Sequence, residues 1–356
     1  MSSLWEPNRR RRSGTIILVR DFRLTMSHFL LPLSVRPMEA KTADAIPEEG
    51  GPWQYEPKWD GFRCLIFKDG RDVELRAKSG KPLSRFFPEA AAAFRDFAPP
   101  RFVLDSELII EIDGRSSFEA LQMRLHPAES RIRKLAVETP AIAVLFDALA
   151  VPRHAKLLEQ PLATRRAVLE ELASGIDPDA GRLSPASRDP EAAQSWLRDA
   201  SGGTDGIVAK LRDDRYRPGE RAMVKVKRMR SADCIVGGFR YLNDRREVGS
   251  LLLGLYGDDG RLDHVGFTST IANAERAALT RKLNALEAPS SFTGRSPGGP
   301  SRWSTERSGD WVPVKPELVV EVRYDHVTDC RFRHGTKLLR WRPDKSPKQC
   351  TLEQIS

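Results

Sequence analysis

Apolar and polar residues alternate with a two-residue period over much of the chain, which marks strands. The pattern becomes strand-like at Trp53. Residues 61–67 read as a strand, Lys68-Asp69-Gly70-Arg71 offers a hairpin turn, and 73–75 continue beyond it. Residues 101–112 form a long β-rich segment closed by Asp113-Gly114, and 141–151 are an apolar run of buried-strand length. Residues 204–211 and 223–229 are further strands. The spacing switches to a helical period at 117–125 and 164–173. Another helix has Asp189 as N-cap, Pro190 in its first turn and Gly202-Gly203 as its stop.

A second unit begins near Ser231. Residues 234–241, 250–256, 264–268 and 317–325 are short strands, 274–286 a helix, and 290–300 a Ser/Gly/Pro-rich loop read as mobile. Five or so strands with one helix suggest a small barrel of the OB type, although any small β domain fits the same count. The expected division is 1–27, a basic extension without stable structure of its own; 28–230; and 231–356. A basic arm on nucleic acid is the other reading of 1–27, and Met26 and Met38 are both alternative starts.

The chain has 356 residues, enough for about two domains with separate cores. No apolar stretch approaches the roughly 18 residues that span a bilayer, so no membrane role is expected. Lys+Arg number 58 against 49 Asp+Glu, a net charge of +9 that favours a polyanionic partner, nucleic acid above all. Four scattered cysteines without a CxxC pair argue against a disulfide framework or zinc site and fit a reducing cytoplasm.

Five short strings carry candidate chemistry. Lys58-Trp59-Asp60-Gly61-Phe62-Arg63 lies between β-rich pieces, where Gly61 permits a sharp turn or close approach. Asp105 and Glu107 sit two apart in a strand and share a face, as oxygen ligands of a hard cation would, but on the residues alone a solvated outer sheet face is the favoured explanation. Phe146-Asp147 ends an apolar run, so Phe146 is either core or a platform for a base. Asp205-Gly206-Ile207-Val208-Ala209-Lys210 enters another strand. In Val224-Lys225-Val226-Lys227 the two lysines share a face and repel unless an anion lies between them, or else they simply face solvent on an edge strand. Near the C-terminus Arg342-Pro343-Asp344-Lys345 follows a basic run.

In this order the strings resemble the covalent nucleotidyltransferases, and within them the short bacterial ATP-dependent DNA ligases. The likeness runs over about 31–348. Lys58–Arg63 matches a KxDGxR motif, 104–108 the carboxylate motif centred on Glu107, and 145–147 the aromatic motif. Residues 205–210 match an EGxxxK-type motif, 224–227 the VKxK motif, and 342–345 the RxDK signature of an OB domain. Two positions depart from the pattern. Asp205 stands where Glu is usual, and Ala77-Lys78-Ser79-Gly80 replaces Ser-Arg-x-Gly, leaving Lys78 and Arg76 as candidates for the nick 5′-phosphate.

The resemblance implies an α+β fold: a nucleotidyltransferase domain of packed antiparallel sheets with helices, then an OB barrel. It implies sealing of 3′-OH/5′-phosphate nicks in double-stranded DNA, in repair, through lysyl-AMP and DNA-adenylate. Lys58 would be the nucleophile, with Lys225 and Lys227 as catalytic cations. Glu56, Asp60, Arg63, Lys78, Glu107, Phe146, Arg342 and Lys345 would contact the nucleotide, and Glu107 and Asp205 would hold Mg²⁺ or Mn²⁺. Expected partners are nicked DNA and a Ku-like end-joining factor or repair polymerase, met by a monomer in the bacterial cytoplasm at the nucleoid. An RNA ligase, or a capping-type guanylyltransferase using GTP, shares the lysine chemistry.

Overall fold

A computed structural model describes residues 28–49, 51–97, 99–154, 156–199, 203–242, 245–298 and 310–355. The basic extension 1–27, Gly202 of the expected helix stop and the end of the 290–300 loop lie outside these.

The first part of the chain runs β1 (Glu39–Ala43), β2 (Trp53–Trp59), β3 (Phe62–Asp69), β4 (Asp72–Ala77), α1 (Pro88–Asp96), β5 (Arg101–Ile112), β6 (Arg115–Ser116), α2 (Phe118–Arg124) and α3 (Glu129–Glu138). It continues with β7 (Ala141–Ala150), α4 (Leu162–Ala173), β8 (Gly181–Leu183), α5 (Pro190–Arg198), β9 (Thr204–Leu211) and β10 (Arg221–Lys227). One sheet has the order β1-β10-β9-β2; a second has the order β4-β3-β5-β7-β8, with β6 paired to β5. The expectation of antiparallel sheets holds for their centres, but β1 joins β10 and β8 joins β7 in parallel. Both parallel strands arrive through long connections, as parallel pairing requires.

The two-residue period decides what each sheet face meets. Val224 and Val226 of β10 pack with Ile207 and Ala209 of β9 and Ala193 of α5, so Lys225 and Lys227 face the other way. The outer face of the second sheet buries Ile66, Leu104 and Leu145 against α1, α2 and α4, with Phe87 and Phe94 filling the layer. Between the sheets lie Leu65, Phe67, Val103, Met223 and Tyr216. The Asp69–Asp72 turn is the anticipated hairpin, with Gly70 at φ +58°. Ser117 caps α2 by accepting from the Ala120 N–H, and Asp189 caps α5 by accepting from the Glu191 N–H.

Helices α1 and α3 and strand β1 are absent from the sequence reading. Helix α1 is alanine-rich, so its buried stripe of Ala90, Ala91 and Phe94 carries one large apolar residue, and α3 buries Ile132 alone among its residues.

The remaining elements are β11 (Arg230–Tyr241), β12 (Val248–Tyr256), β13 (Leu262–Thr268), α6 (Asn273–Asn284), β14 (Val312–Pro313), β15 (Val319–Tyr324), β16 (Val327–Thr328), β17 (Arg331–Phe332) and β18 (Lys337–Trp341). They form a sheet ordered β13-β12-β11-β15-β18, while β16 and β17 make a separate hairpin. A bridge between Thr268 and Thr336 joins the ends of that sheet into an OB-type barrel. Val236, Phe239, Leu252 and Val320 are buried within it.

Candidate active site

A cavity of about 630 Å³ opens between the two sheets of the first part. Alternation along each strand selects its lining. From β2 come Glu56 and Lys58; from β9, Val208 and Lys210; from β10, Met223 and Lys225. Opposite them stand Arg63 from β3, Glu107 from β5 and Phe146 from β7, with Lys78 at the side. The ladder shifts by one residue between β5 and β7, so Asp105 pairs with Asp147 and Ser106 with Leu145, leaving Phe146 as the extra residue that enters the cavity.

Lys58 Nζ donates to Asp205 Oδ1 at 2.7 Å. Asp205 is brought there by Gly206, whose φ is +151° and where a Cβ would lie 2.1 Å from Val226 O. No other residue type lets β9 approach β10 so closely beside the lysine. Gly61 meets a similar demand, with a Cβ position 2.2 Å from Leu108 O; its close approach is to backbone. The other oxygen of Asp205 lies 3.3 Å from Lys227 Nζ.

The two lysines of β10 differ. Lys227 also donates to Asp325 from beyond β15 at 2.6 Å. Burial works against its charge, but Asp205 and Asp325 prevail and raise its pKa. Lys225 has no carboxylate within ion-pair distance among the described residues, and burial lowers its pKa, reinforced by Lys58, Lys227 and Lys78.

Asp105 and Glu107 also part ways. Asp105 is fully buried and grips Arg63 through both oxygens, at 2.6 and 2.7 Å. Glu107 faces the cavity, where burial pushes its carboxyl up to about 7 against the pull of Arg63 and Lys58. Glu56 is buried and accepts from Lys210 at 2.7 Å and Gln54 at 2.8 Å. Arg63 lies 4.5 Å and Lys210 4.8 Å from the centre of the Phe146 ring.

Five predicted residues lie outside the cavity lining; one is Asp205, which lines a neighbouring cleft with Asp60 although its carboxylate reaches Lys58. Asp60 turns away from the cavity and pairs with Arg333 of the barrel at 2.6 Å, with His326 3.8 Å off. Arg342 binds Asp344 and Asp233, and Lys345 lies 3.2 Å from Asp233, on the barrel and outside the cavity lining. Lys227 lines a neighbouring cleft with Arg198 and Arg323. At the cavity, Lys78 pairs with Glu39 at 2.9 Å, whereas Arg76 is held by Glu74 and is not part of the lining.

Sequence reasoning assigned no role to Lys210, Tyr216, Asp325 or Arg333. The alternation of β9 could have flagged Lys210, since Val208 and Lys210 share a face; the other three meet the site through contacts that no local pattern announces.

Residues 37–227 match the model of the ATP dependent DNA ligase domain, and 244–345 that of the ATP dependent DNA ligase C terminal region. The chain belongs to the ATP-dependent DNA ligases. DNA ligase C1 of Mycolicibacterium smegmatis is 43% identical over 332 residues, which cover 90% of this ligase and 93% of that protein. The multifunctional non-homologous end joining protein LigD of Mycobacterium bovis is 32% identical over 330 residues, covering 90% of this ligase but 40% of LigD. A structure described as DNA binding with a minimal scaffold, from the Lig E DNA ligases, covers 86% of this ligase and 100% of that chain, with TM-score 0.54 and 17% identity, and supports the fold. The short ATP-dependent ligase expected from the motifs is therefore the family found. Among the described residues no helix is long and apolar enough to cross a membrane.

Proposed function

We propose that the cavity takes ATP and that Lys58 Nζ is the nucleophile of self-adenylation. The amine attacks the α-phosphorus, the bond to the bridging oxygen breaks, pyrophosphate leaves, and lysyl-AMP forms. The observation that carries this reading is the placement of Lys58 in one cavity with the unpaired cation Lys225. Asp205 Oδ1, 2.7 Å from Nζ, is the acceptor that the geometry offers for the ammonium proton. Lys225 and, once released from Asp325, Lys227 balance charge developing on the phosphate. Phe146 is the platform for adenine, Glu56 reads its amino group and Arg63 meets the ribose.

A divalent cation fits the donor set. Glu107 presents an oxygen to the cavity and burial pushes its carboxyl up to about 7 despite Arg63 and Lys58 nearby, whereas Asp205 already serves two ammonium groups. No group of three His, Cys, Asp or Glu suited to a metal occurs among the described residues, which matches Mg²⁺ held by one or two carboxylates and substrate phosphates. When bound it would supply Lewis-acid neutralisation of phosphate charge, with Glu107 as its main protein ligand.

Arg342 and Lys345 reach the pyrophosphate end when the barrel closes over ATP, and the barrel then opens to admit nicked DNA. AMP passes to the 5′-phosphate, and the 3′-hydroxyl displaces it to seal the strand. Lys78 is the candidate grip on the nick phosphate. The ligase works as a monomer in DNA repair, and its likeness to the end-joining protein LigD supports a Ku-like factor or repair polymerase as partner.

The test is enzyme–AMP formation from α-labelled ATP. Wild type should take up label, release it to pyrophosphate and ignore labelled GTP, and Lys58→Ala should stay blank. A mutant that labels like wild type would remove Lys58 from the mechanism.

A further inference from the structure

Behind the cavity a buried network links three distant parts of the chain. Arg63 donates through Nε to Asp105 Oδ1 at 2.6 Å and through Nη2 to Asp105 Oδ2 at 2.7 Å and to the Met38 carbonyl at 3.2 Å. Tyr216, from the loop between β9 and β10, donates its hydroxyl to Asp105 Oδ2 at 2.5 Å and accepts the Met38 N–H at 2.8 Å. Asp105 and Tyr216 are buried, and neither lines the cavity, whereas Arg63 and Met38 do. Both oxygens of Asp105 are thus occupied, and its place is set from behind by one hydroxyl.

The same tyrosine also lies under the other side of the nucleoside end. The Arg165 guanidinium sits 5.6 Å from the centre of its ring and donates to both oxygens of Asp147, at 2.8 and 3.0 Å. Asp147 follows Phe146 at the bulge in β7, and Phe146 lines the cavity. Arg165 is tied to the Tyr216 loop as well, donating to the Asp214 carbonyl at 3.0 Å.

We propose that Tyr216 is a positioning residue for nucleoside recognition: its hydroxyl holds Asp105, Asp105 aims Arg63 across the cavity, and the loop that carries it braces Phe146 through Arg165. The inference rests on reading the cavity as the ATP site. Its physical basis is that a hydrogen bond to a buried carboxylate does more than an ordinary one, and removing one partner leaves the other unsatisfied. In Tyr216→Phe the ring and its packing stay, but Asp105 loses a donor and Met38 N–H loses its acceptor. Arg63 remains charged on a loosened anchor. The lysine, Asp205 and Lys225 stand on other strands, so the chemical step keeps its geometry.

The experiment measures self-adenylation of the full-length protein with α-labelled ATP and with 3′-deoxyATP. Tyr216→Phe should raise KM for ATP about tenfold, with kcat and sealing of a pre-adenylated nick each changed less than about twofold. Wild type should prefer ATP to 3′-deoxyATP, and Tyr216→Phe should lose most of that preference. In an Arg63→Ala background, Tyr216→Phe should add nothing further, because both act through one contact. An unchanged KM, or equal losses in all three activities, overturns the proposal. So does a wild type that accepts 3′-deoxyATP as readily as ATP, a result that needs no folded mutant. A wild type that forms no AMP adduct at all would instead defeat the reading of the cavity.

Discussion

The cavity between the two sheets and the barrel's signature segment both gather cations expected to meet phosphate, yet they hold them differently. In the cavity the acids stand behind or beside the cations, and among the described residues Lys225 has no carboxylate within ion-pair distance. In the signature segment Arg342 is shared by Asp344 and Asp233, and Lys345 also leans on Asp233. Asp344 is itself pushed down to about 2, chiefly by its hydrogen bonds to Arg342. An ammonium without a carboxylate partner in an open cavity is ready for an anion. A pair of cations already neutralised on its own domain must first give up its partners, which suits groups needed in one step of a reaction and withdrawn in the next.

The largest expected effect breaks this contrast at its strongest point. Lys225→Ala should lower the rate of enzyme–AMP formation on the order of 100-fold or more, and Lys225→Arg should recover part of it. A loss under about threefold would mean that the unpaired lysine faces no reacting phosphate. Next comes the barrel. Arg342→Ala should cost about tenfold or more in self-adenylation and no more than about threefold in sealing a pre-adenylated nick. Equal losses in the two assays would show that the signature cations serve every step, erasing the distinction drawn here.

Glu107 sharpens the same comparison through stability. Its folded carboxyl, at about 7, lies above its ordinary 4.5, so the native state holds the proton more tightly than the unfolded chain does. Stability from this group is present below about 4.5 and is lost as pH rises through about 7, by at most about 3 kcal/mol. Thermal melts of the protein free of divalent cations should show that decline, and Glu107→Gln should flatten it. A wild-type profile as flat as the variant's would show that burial does not raise the Glu107 carboxyl. The smallest effect belongs to Lys78, whose pair with Glu39 is mostly exposed on the lysine side. Lys78→Ala should change stability by less than about 1 kcal/mol. Its loss should be visible in sealing, as a fewfold weaker use of nicked DNA that fades at high salt.

Much of the cavity was legible from local pattern. The pairs Asp105/Glu107 and Lys225/Lys227 each lie two residues apart in a strand, so a shared face followed from the period alone. The turn at Gly70 and the cap at Asp189 were equally plain. The bulge that leaves Phe146 unpaired was not, since it depends on the register of β7 against β5. Nor was the split between Asp105 and Glu107. They look alike in sequence, but one is claimed by Arg63 and Tyr216 and the other is left facing the cavity.

By itself the sequence determined which residues could act, their order, and the sheet face each would occupy, because strand alternation and turn chemistry are local. Only the tertiary structure decided which acid would meet which base. Arg63 and Asp105 are separated by 42 residues, Lys58 and Asp205 by 147, and Asp60 and Arg333 by 273. Charge pairing falls off over a few ångströms, so it is settled by how the sheets stack and where the barrel rests, and no spacing along the chain encodes that distance.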